Sequence, residues 1–484
     1  MIKRKMIKSN KLTTVAFLGV FALLLHSCAI PKITSKEAEV GLPTAYSNTA
    51  GDRTNTAKVS WKTFFKDPYL QQLIDSTLVN NKEMNIVLQK VNRANNEIQA
   101  RKGEYLPNLN FGAGADLEKV GKFTRNGAVE ENLNIREDER FPEPLANYQL
   151  GLYSSWELDV WKKLRNAKKV AVMEYMASVE GKNFLMTNLV AEVANSYYEL
   201  IALDNQLSNL EANIEIQKNA LEIVKLLKES ARTTSLAVKR FEAEAQKNES
   251  EIYKLKQEIV ETENRINFLV GRTPQPVLRN SNDFMQSEPY LLNAGLPSQL
   301  LENRPDIRKA ELELSAAKLD IKVAKANFYP SFGIKAGVGF EAFNPKFLLN
   351  SPESLLYSIA GEALMPLVNR NAIKATYKNA SAKQIEAAFE YEQTILKAYT
   401  EVVNQMAKID NLEKTYQFKN SQVEALQESI SIANQLFQSA RADYMEVLLT
   451  QRDALEAKAE LIATRKDQMV ASVSLYRALG GGWN

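Results

Sequence analysis

Cys28 is the residue whose chemistry the sequence specifies most directly. It is the only cysteine among 484 residues, and it follows Ser27 after a basic segment and a short apolar run. That order is typical of a bacterial lipoprotein signal, whose cysteine receives the lipid, and the run is too short to span a bilayer. We therefore predict cleavage before Cys28, acylation of its sulfur and insertion into membrane lipid. The alternative is an incidental cysteine inside an ordinary signal peptide.

Removal of residues 1–27 limits the remaining chemistry. The only histidine, His26, lies in this segment. Without it, and with Cys28 acylated, no side chain remains for His or Cys metal sites, disulfides or catalysis by Cys or His. We predict no enzyme activity, no cofactor and no metal site. Cleavage also removes five positive charges and no negative ones, which takes the formal net charge from +3 to −2, so the balance does not favour nucleic acid.

Three short motifs could suggest catalysis but have simpler structural explanations. Ser315 and Lys318 match the Ser-x-x-Lys pattern of penicillin-recognising enzymes, but they fall within a predicted helix without companion motifs. Glu157 and Asp159 could form a carboxylate pair, but the basic residues that follow indicate ion pairs at a strand-to-helix junction. In residues 304–306, Arg-Pro-Asp, proline suits a first helical turn and aspartate complements the helix N-terminus.

A tandem duplication organises the chain. Residues 182–270 and 367–479 contain neither Gly nor Pro, which indicates two helical stretches far longer than one globular domain needs. The sequence EVAN at 192–195 recurs as EVVN at 401–404, and other short matches recur at the same interval. Each stretch is expected to be a long helix that returns through a short break into a second helix. Apolar positions of the first helix approximate a heptad seam, which predicts antiparallel coiled-coil packing: Leu185, Leu189, Val193, Tyr197, Leu200 and Ile201.

Before each long helix the apolar period changes to two. Apolar residues alternate with polar residues or Gly at about 109–118, 147–157 and 331–341, and more weakly at 354–366. Such ten-residue strands suit a tilted crossing of a membrane. Residues 121–144 between the first two strands are polar and acid-rich, and we expect a loop there.

Four such strands are too few to close a barrel, which needs about eight. In a membrane their open edges would leave backbone groups unpaired. We therefore predict that the chain pools its strands with copies of itself, and three chains would supply twelve. A soluble four-stranded sheet on a helical stalk is the alternative.

Several segments together resemble a known family. They extend over almost the whole mature chain, in family order, as WKTFFKDP at 61–68, WELDVW at 156–161, NRPDI at 303–307, FYPSF at 328–332, YMEVL with QR at 444–452 and LYRALGGGW at 475–483. The chain resembles the TolC-like outer membrane factors, in the lipoprotein branch that serves resistance-nodulation-division efflux pumps. The resemblance implies a mainly α fold with a membrane β-barrel: a homotrimer whose twelve strands form one barrel, continued by twelve packed helices as a periplasmic tunnel.

The resemblance also implies where partners act. A periplasmic adaptor would dock at the helical returns, at the positions Ala231, Arg232, Thr233, Thr234, Ala440, Arg441, Ala442 and Asp443. The family usually has Gly where this chain has Ala231 and Ala440, and an acidic residue where it has Ala237, whereas Glu446 keeps the acidic residue in the second copy. The tunnel would close at this end, and the candidate gate residues are Glu428, Asn434, Gln438 and Asp443. A solvated outer face is an equally acceptable interpretation of each gate candidate.

The function that the resemblance implies is passive conduction. The trimer would carry drugs or other small molecules from an inner-membrane pump and its adaptor across the outer membrane, while anchored there by lipid and extending into the periplasm. Ala29, rather than Asp, follows Cys28 and favours outer-membrane sorting. The alternative within the family is the exit duct of a type I protein secretion system. A lipid-anchored coiled-coil tether and an anchored hydrolase are alternatives from other classes.

We expect the following organisation: a signal peptide at 1–27, an acylated tether at 28–60, a first repeat at 61–271 with its hairpin at 164–270, a linker at 272–302, a second repeat at 303–479 with its hairpin at 370–479, and a tail at 480–484.

Overall fold

The computed structural model describes residues 30–46, 54–290, 292–439 and 441–483. They form two compact units. The strand unit takes in the described residues up to Glu37 together with Arg93–Tyr175 and Leu312–Ala388. The helical unit takes in the described residues of Ala38–Asn92, Met176–Glu311 and Phe389–Asn484. Each unit therefore draws on both halves of the sequence.

Helices dominate the described residues. In chain order the elements are α1 Trp61–Phe64, α2 Pro68–Asn80, α3 Lys82–Glu104, β1 Asn108–Glu118, α4 Arg125–Asn132, β2 Asn134–Arg136, β3 Glu139–Arg140, β4 Leu145–Leu158, α5 Lys163–Glu229, α6 Ser235–Val270, α7 Leu300–Asn303, α8 Pro305–Ala326, β5 Ser331–Ala342, β6 Leu355–Leu364, α9 Asn371–Gln438 and α10 Tyr444–Ala478. The predicted fold of paired strands followed by long helical hairpins is confirmed, with strand ends that differ by one or two residues.

Two local expectations were wrong. The segment 121–144 is not a simple loop, because it contains α4 and the small antiparallel pair of β2 and β3. Apolar residues at three- and four-residue steps from Leu70 to Ile98 predict one amphipathic helix that ends near residue 103, but the chain forms two helices, α2 and α3, divided at Asn81. The Asn81 side chain accepts a hydrogen bond from the backbone N–H of Met84, so it caps α3 and ends the continuity of the helix.

The strands β1, β4, β5 and β6 form one antiparallel sheet in that order. Its two faces differ sharply. Phe111, Leu152, Val338 and Tyr357 lie side by side across the four strands, and their exposed fractions are 68%, 43%, 49% and 80%. No charged residue of these strands shares this apolar face. The opposite, polar face carries all their charged side chains: Asp116, Glu118, Glu157, Lys335, Glu341 and Glu362.

The main apolar core lies in the helical unit. Most of the seam that the heptad pattern predicts is buried there, with Leu189, Val193 and Tyr197 at 0–2% exposure. An aromatic stack closes the core, because the rings of Phe64 and Tyr476 lie 4.1 Å apart and nearly parallel. This packing holds α1, α5 and α10 together in the helical unit.

Candidate docking and conduit surfaces

The first helical return, Ser230–Thr234, ends α5 with a hydrogen-bonded turn. The backbone N–H of Arg232 donates to the carbonyl of Leu227 at 2.8 Å, and that of Ala231 donates to Lys228 at 2.9 Å. These two bonds are the Schellman pattern, which places the residue after the helix in the left-handed region. Ala231 occupies that position with φ of +55°. This geometry explains why a glycine suits the site better than the alanine found here.

Both second helices of the hairpins begin with a capping side chain. The Thr234 hydroxyl accepts the backbone N–H of Ala237 at 3.3 Å, and the Asp443 carboxylate accepts that of Met445 at 3.5 Å. In the second return the backbone N–H of Arg441 donates to Leu436 at 2.9 Å, as Arg232 does in the first. Ala440 lies outside the described residues.

The two returns pack together within the helical unit. Val224, Ala237 and Phe241 of the first hairpin are buried, and Phe437 and Tyr444 of the second pack against them. Ala237 is fully buried, which gives a physical reason for the absence of an acidic side chain there. The described residues of the two returns therefore form one surface, which we call the return surface: Ser230, Ala231, Arg232, Thr233, Thr234, Arg441, Ala442 and Asp443.

The return surface is open to solvent. Ala231, Arg232, Thr234, Arg441 and Asp443 are exposed, and Thr233 and Ala442 are half-buried. The surface has two arginines and one carboxylate, and that carboxylate already caps α10.

The gate candidates are not brought into one cluster. Glu428 and Gln438 are exposed on α9, and Asn434 is half-buried. Helical spacing places Asn434 and Gln438 on one face and Glu428 on another. Asp443 contributes the cap of α10. The gate assignment thus stays a prediction.

The Arg304 side chain has a structural role. It is 4% exposed, and it contacts the carboxylates of Asp306 at 2.6 Å and Glu401 at 2.9 Å. Burial alone would lower the pKa of this guanidinium, but the hydrogen bonds and charges of the two carboxylates raise it above the ordinary value. Its third contact is a hydrogen bond to the carbonyl of Ala478 at 2.9 Å. The sequence interpretation of Arg-Pro-Asp as a structural motif is confirmed.

Arg304 belongs to a pair of related helix junctions that the sequence did not reveal. At one, the side chain of Asn81 donates to the carbonyl of Leu269 at the end of α6. At the other, Arg304 donates to Ala478 at the end of α10. Gly271 and Gly480 follow these helices with φ of +78° and +95°. In each half of the sequence, a hairpin helix therefore ends against the start of a helix from the preceding segment.

The junction after β4 uses local ion pairs, as predicted. Glu157 pairs with Lys163 at 2.5 Å, and Asp159 accepts the backbone N–H groups of Leu164 and Arg165 at 3.0 and 2.9 Å. Burial alone would raise the pKa of Asp159, but the hydrogen bonds from Arg165 and Leu164 bring it below its ordinary value. Glu157 and Asp159 thus anchor the start of α5.

Two further findings concern the described ranges. No group of three or more His, Cys, Asp or Glu residues in them is placed to hold a metal ion. Within the same residues, none of the helices has the length and apolar character needed to cross a membrane.

The comparisons with known proteins decide the family. Residues 73–272 and 296–481 match the model of the outer membrane efflux protein family. The chain belongs to the outer membrane efflux protein family. The two matched segments coincide closely with the two halves of the duplication.

Members of this family resemble the chain over nearly its full length. SrpC of Pseudomonas putida, a solvent efflux pump outer membrane protein, is 28% identical over 475 residues, which cover 96% of this chain and 98% of SrpC. CusC of Escherichia coli O6:H1, a cation efflux system protein, is 28% identical over 469 residues, which cover 96% of this chain and 97% of CusC.

Solved structures show the same fold. A CusC structure has a TM-score of 0.80 at 25% identity and covers 94% of this chain and 99% of that one. The open state of the MtrE outer membrane channel of Neisseria gonorrhoeae has a TM-score of 0.82 at 22% identity, with coverage of 94% and 98%.

Proposed function

We propose that this outer membrane efflux protein is the outer-membrane channel of a tripartite efflux system. It conducts small molecules passively from an inner-membrane pump of the resistance-nodulation-division type, through a periplasmic adaptor, to the exterior. The observation that carries the proposal is the four-stranded sheet, with one apolar face, one charged face and two open edges. An apolar exterior and a polar interior are what a membrane barrel requires.

The open edges support a homotrimer. Strands β1 and β6 lie at the two edges of the sheet, and neighbouring strands alternate in direction. The edge strand β6 of one copy would therefore meet β1 of the next in antiparallel orientation. Three copies close a twelve-stranded barrel without a parallel pair and leave no unpaired edge in lipid.

Exposed apolar stripes on two helices support the same assembly. On α6, Tyr253, Val260 and Phe268 are 75%, 48% and 79% exposed. On α9, Phe389 and Leu396 are spaced by seven residues and are 56% and 66% exposed. Spacing of about seven residues is the pattern of a coiled-coil seam that lacks its partner.

The return surface is the proposed docking site of the adaptor. Its first return follows the last residue of α5, a helix of 67 residues that begins after β4. An adaptor that rises from the inner membrane would meet the channel there. We assign the gate to the same end of the tunnel, at Glu428, Asn434, Gln438 and Asp443.

Acylated Cys28 is the proposed anchor in the outer membrane, although it lies outside the described residues. The segment that follows is held along α9. In the strand unit, the Gln384 side chain accepts the backbone N–H of Lys36 and donates to its carbonyl. In the helical unit, the backbone N–H of Glu39 donates to Glu392. A segment fixed in this way can join a lipid anchor to the channel wall.

Deletion of the gene tests the proposal. The deletion strain should become sensitive to some members of a panel of organic solvents, dyes, antibiotics and metal cations, and the wild-type chain should restore resistance. Purified protein should be a trimer by native mass spectrometry. Unchanged sensitivity together with loss of a protein from the culture medium would instead support the secretion duct.

A further inference from the structure

The polar face of the sheet contains one aromatic side chain among its four described strands, and that side chain is Tyr153. It is half-buried, although it projects from the face that the proposed function assigns to the lumen. The glycines are also concentrated here, since six of the seven in these strands share the face of Tyr153 and only Gly361 lies on the apolar face.

The distances show how the ring lies. A Cβ built on Gly112 of β1 would be 3.0 Å from Cε2 of Tyr153, and one built on Gly337 of β5 would be 3.2 Å from Cδ1, on the opposite edge of the ring. A Cβ on Gly151 would be 3.4 Å from Cζ. The two ring edges thus point to the two neighbouring strands, and the ring axis runs along β4. The ring lies flat on the sheet, in a depression that three glycines leave open.

We propose that Tyr153 sets the bore of the barrel, and that Gly112, Gly151 and Gly337 keep it wide by letting the ring lie flat. This inference rests on the proposed function, because it requires the polar face to be the lumen. In a trimer three such rings line one level of the pore. A methyl group at Gly112 or Gly337 would lift the ring edge toward the pore axis and narrow the passage, since at 3.0 and 3.2 Å the ring must give by a few tenths of an ångström to accept an added carbon.

The test measures which solutes pass Tyr153 from outside. Ser155 lies on the same face, two residues nearer to α5, so Ser155→Cys places a thiol beyond the ring. Ser154→Cys is the matched control on the opposite face. Whole cells are treated with maleimide-polyethylene glycols of graded mass, and the largest reagent that labels the thiol is recorded. The chain with its native cysteine alone gives the background.

The mass cut-off is the mass of the largest reagent that labels the thiol. In the Ser155→Cys background, Tyr153→Ala should raise this cut-off and speed labelling by reagents near it several-fold. Tyr153→Phe should leave the cut-off and the labelling rate unchanged. Gly112→Ala should lower the cut-off, but only while Tyr153 is present, so it should have no effect when combined with Tyr153→Ala. Gly361→Ala, where an added Cβ meets nothing within 4 Å, should change nothing. Trimer abundance in the outer membrane is measured for every variant.

Equal cut-offs for Tyr153→Ala and its parent, with Ser155→Cys labelled in both, would overturn the bore-setting role and leave the channel intact. So would a Gly112→Ala effect that persists without Tyr153. Labelling of Ser154→Cys but not Ser155→Cys by a small maleimide would overturn the assignment of the polar face to the lumen, and with it the proposed channel.

Discussion

Gly480 and Asn303 approach so closely that a Cβ on the glycine would lie 2.4 Å from the asparagine carbonyl oxygen. The same relationship recurs between Gly271 and Asn80 at 2.5 Å. Each glycine also has a positive φ, so both space and backbone conformation exclude a side chain there. These two contacts place the end of a hairpin helix against the last residue of a shorter helix in each half of the chain, α2 in the first half and α7 in the second.

Replacing Gly480 by Ala should therefore destabilise the helical unit. The left-handed backbone alone costs an alanine about 1–2 kcal/mol, and the displaced Asn303 carbonyl adds to this cost. We expect a lower thermal midpoint for the detergent-extracted protein and lower abundance in the membrane. Gly103→Ala is the control, because an added Cβ there meets nothing within 4 Å and φ is not positive. Equal losses in the two variants would contradict the junction argument.

At Ala231 the reverse substitution, alanine to glycine, should stabilise the chain. Ala231 holds a left-handed conformation, with φ of +55°, that glycine adopts without strain. Ala231→Gly should stabilise the first return by about 1 kcal/mol, after allowance for the greater freedom of glycine in the unfolded chain. The thermal midpoint of unfolding and the rates of amide hydrogen exchange at Ala231 and Arg232 measure this gain in stability. Ala237→Gly, a buried position in the first turn of α6, should destabilise instead; a midpoint lowered by both changes would exclude the proposed strain.

The lowered pKa of Asp159 predicts that the stability of the folded protein depends on pH. This pKa is below the ordinary value, so the stabilising effect of Asp159 is present above the unfolded pKa of about 3.9 and is lost as the pH falls through the folded pKa. Asp159→Asn should lower stability by about 1 kcal/mol at neutral pH, because charge-assisted bonds to the start of α5 weaken. Thermal midpoints of the variant and wild type should converge well below pH 3.9, the ordinary aspartate value.

The matched control for this carboxylate is Asp75→Asn. Asp75 pairs with Lys62 at 2.9 Å, but both side chains are more than half exposed, so the pair contributes little. A similar pH-dependent loss in both variants would show that the effect is general acid destabilisation.

Periodicity alone predicted much of this fold. The strands alternate so regularly that a one-residue slip would move charges to the apolar face, and the absence of Gly and Pro defined both hairpins. The junctions were not predictable in this way, because Asn81 and Leu269 are 188 positions apart and their hydrogen bond has no local signal. Tyr153 was missed for a related reason, since Gly112 and Gly337 become its neighbours only through the strand register.

Cys28→Ala tests the anchor that the signal predicts. The variant should accumulate as an unacylated precursor, because the chain has no other thiol to accept lipid. Mass spectrometry of the purified protein measures the N-terminus and its acyl chains. The wild-type protein should begin at Cys28 and carry lipid. A mature N-terminus elsewhere, without an acyl group, would contradict the lipoprotein assignment.

A double substitution in the two helical returns tests whether the chain works as part of an assembly. Ala231 is small and exposed, and Ala440 is its counterpart in the second half, so an adaptor hairpin could approach closely at both positions. Replacing both with Trp should block docking by steric exclusion, while the buried contacts of Phe241 and Phe437 that hold the returns together remain. We expect solute sensitivity close to that of the deletion strain, at normal trimer abundance, and loss of the crosslink between channel and adaptor.

A control and a stability measurement make this result decisive. Gln427→Trp places the same bulk on an exposed position of α9 away from the returns, and it should leave resistance unchanged. The abundance and thermal midpoint of the double variant show whether the trimer survives. Full resistance in the double variant at normal trimer abundance would exclude the return surface as the docking site, because two indole rings at these turns would not affect a partner that binds elsewhere.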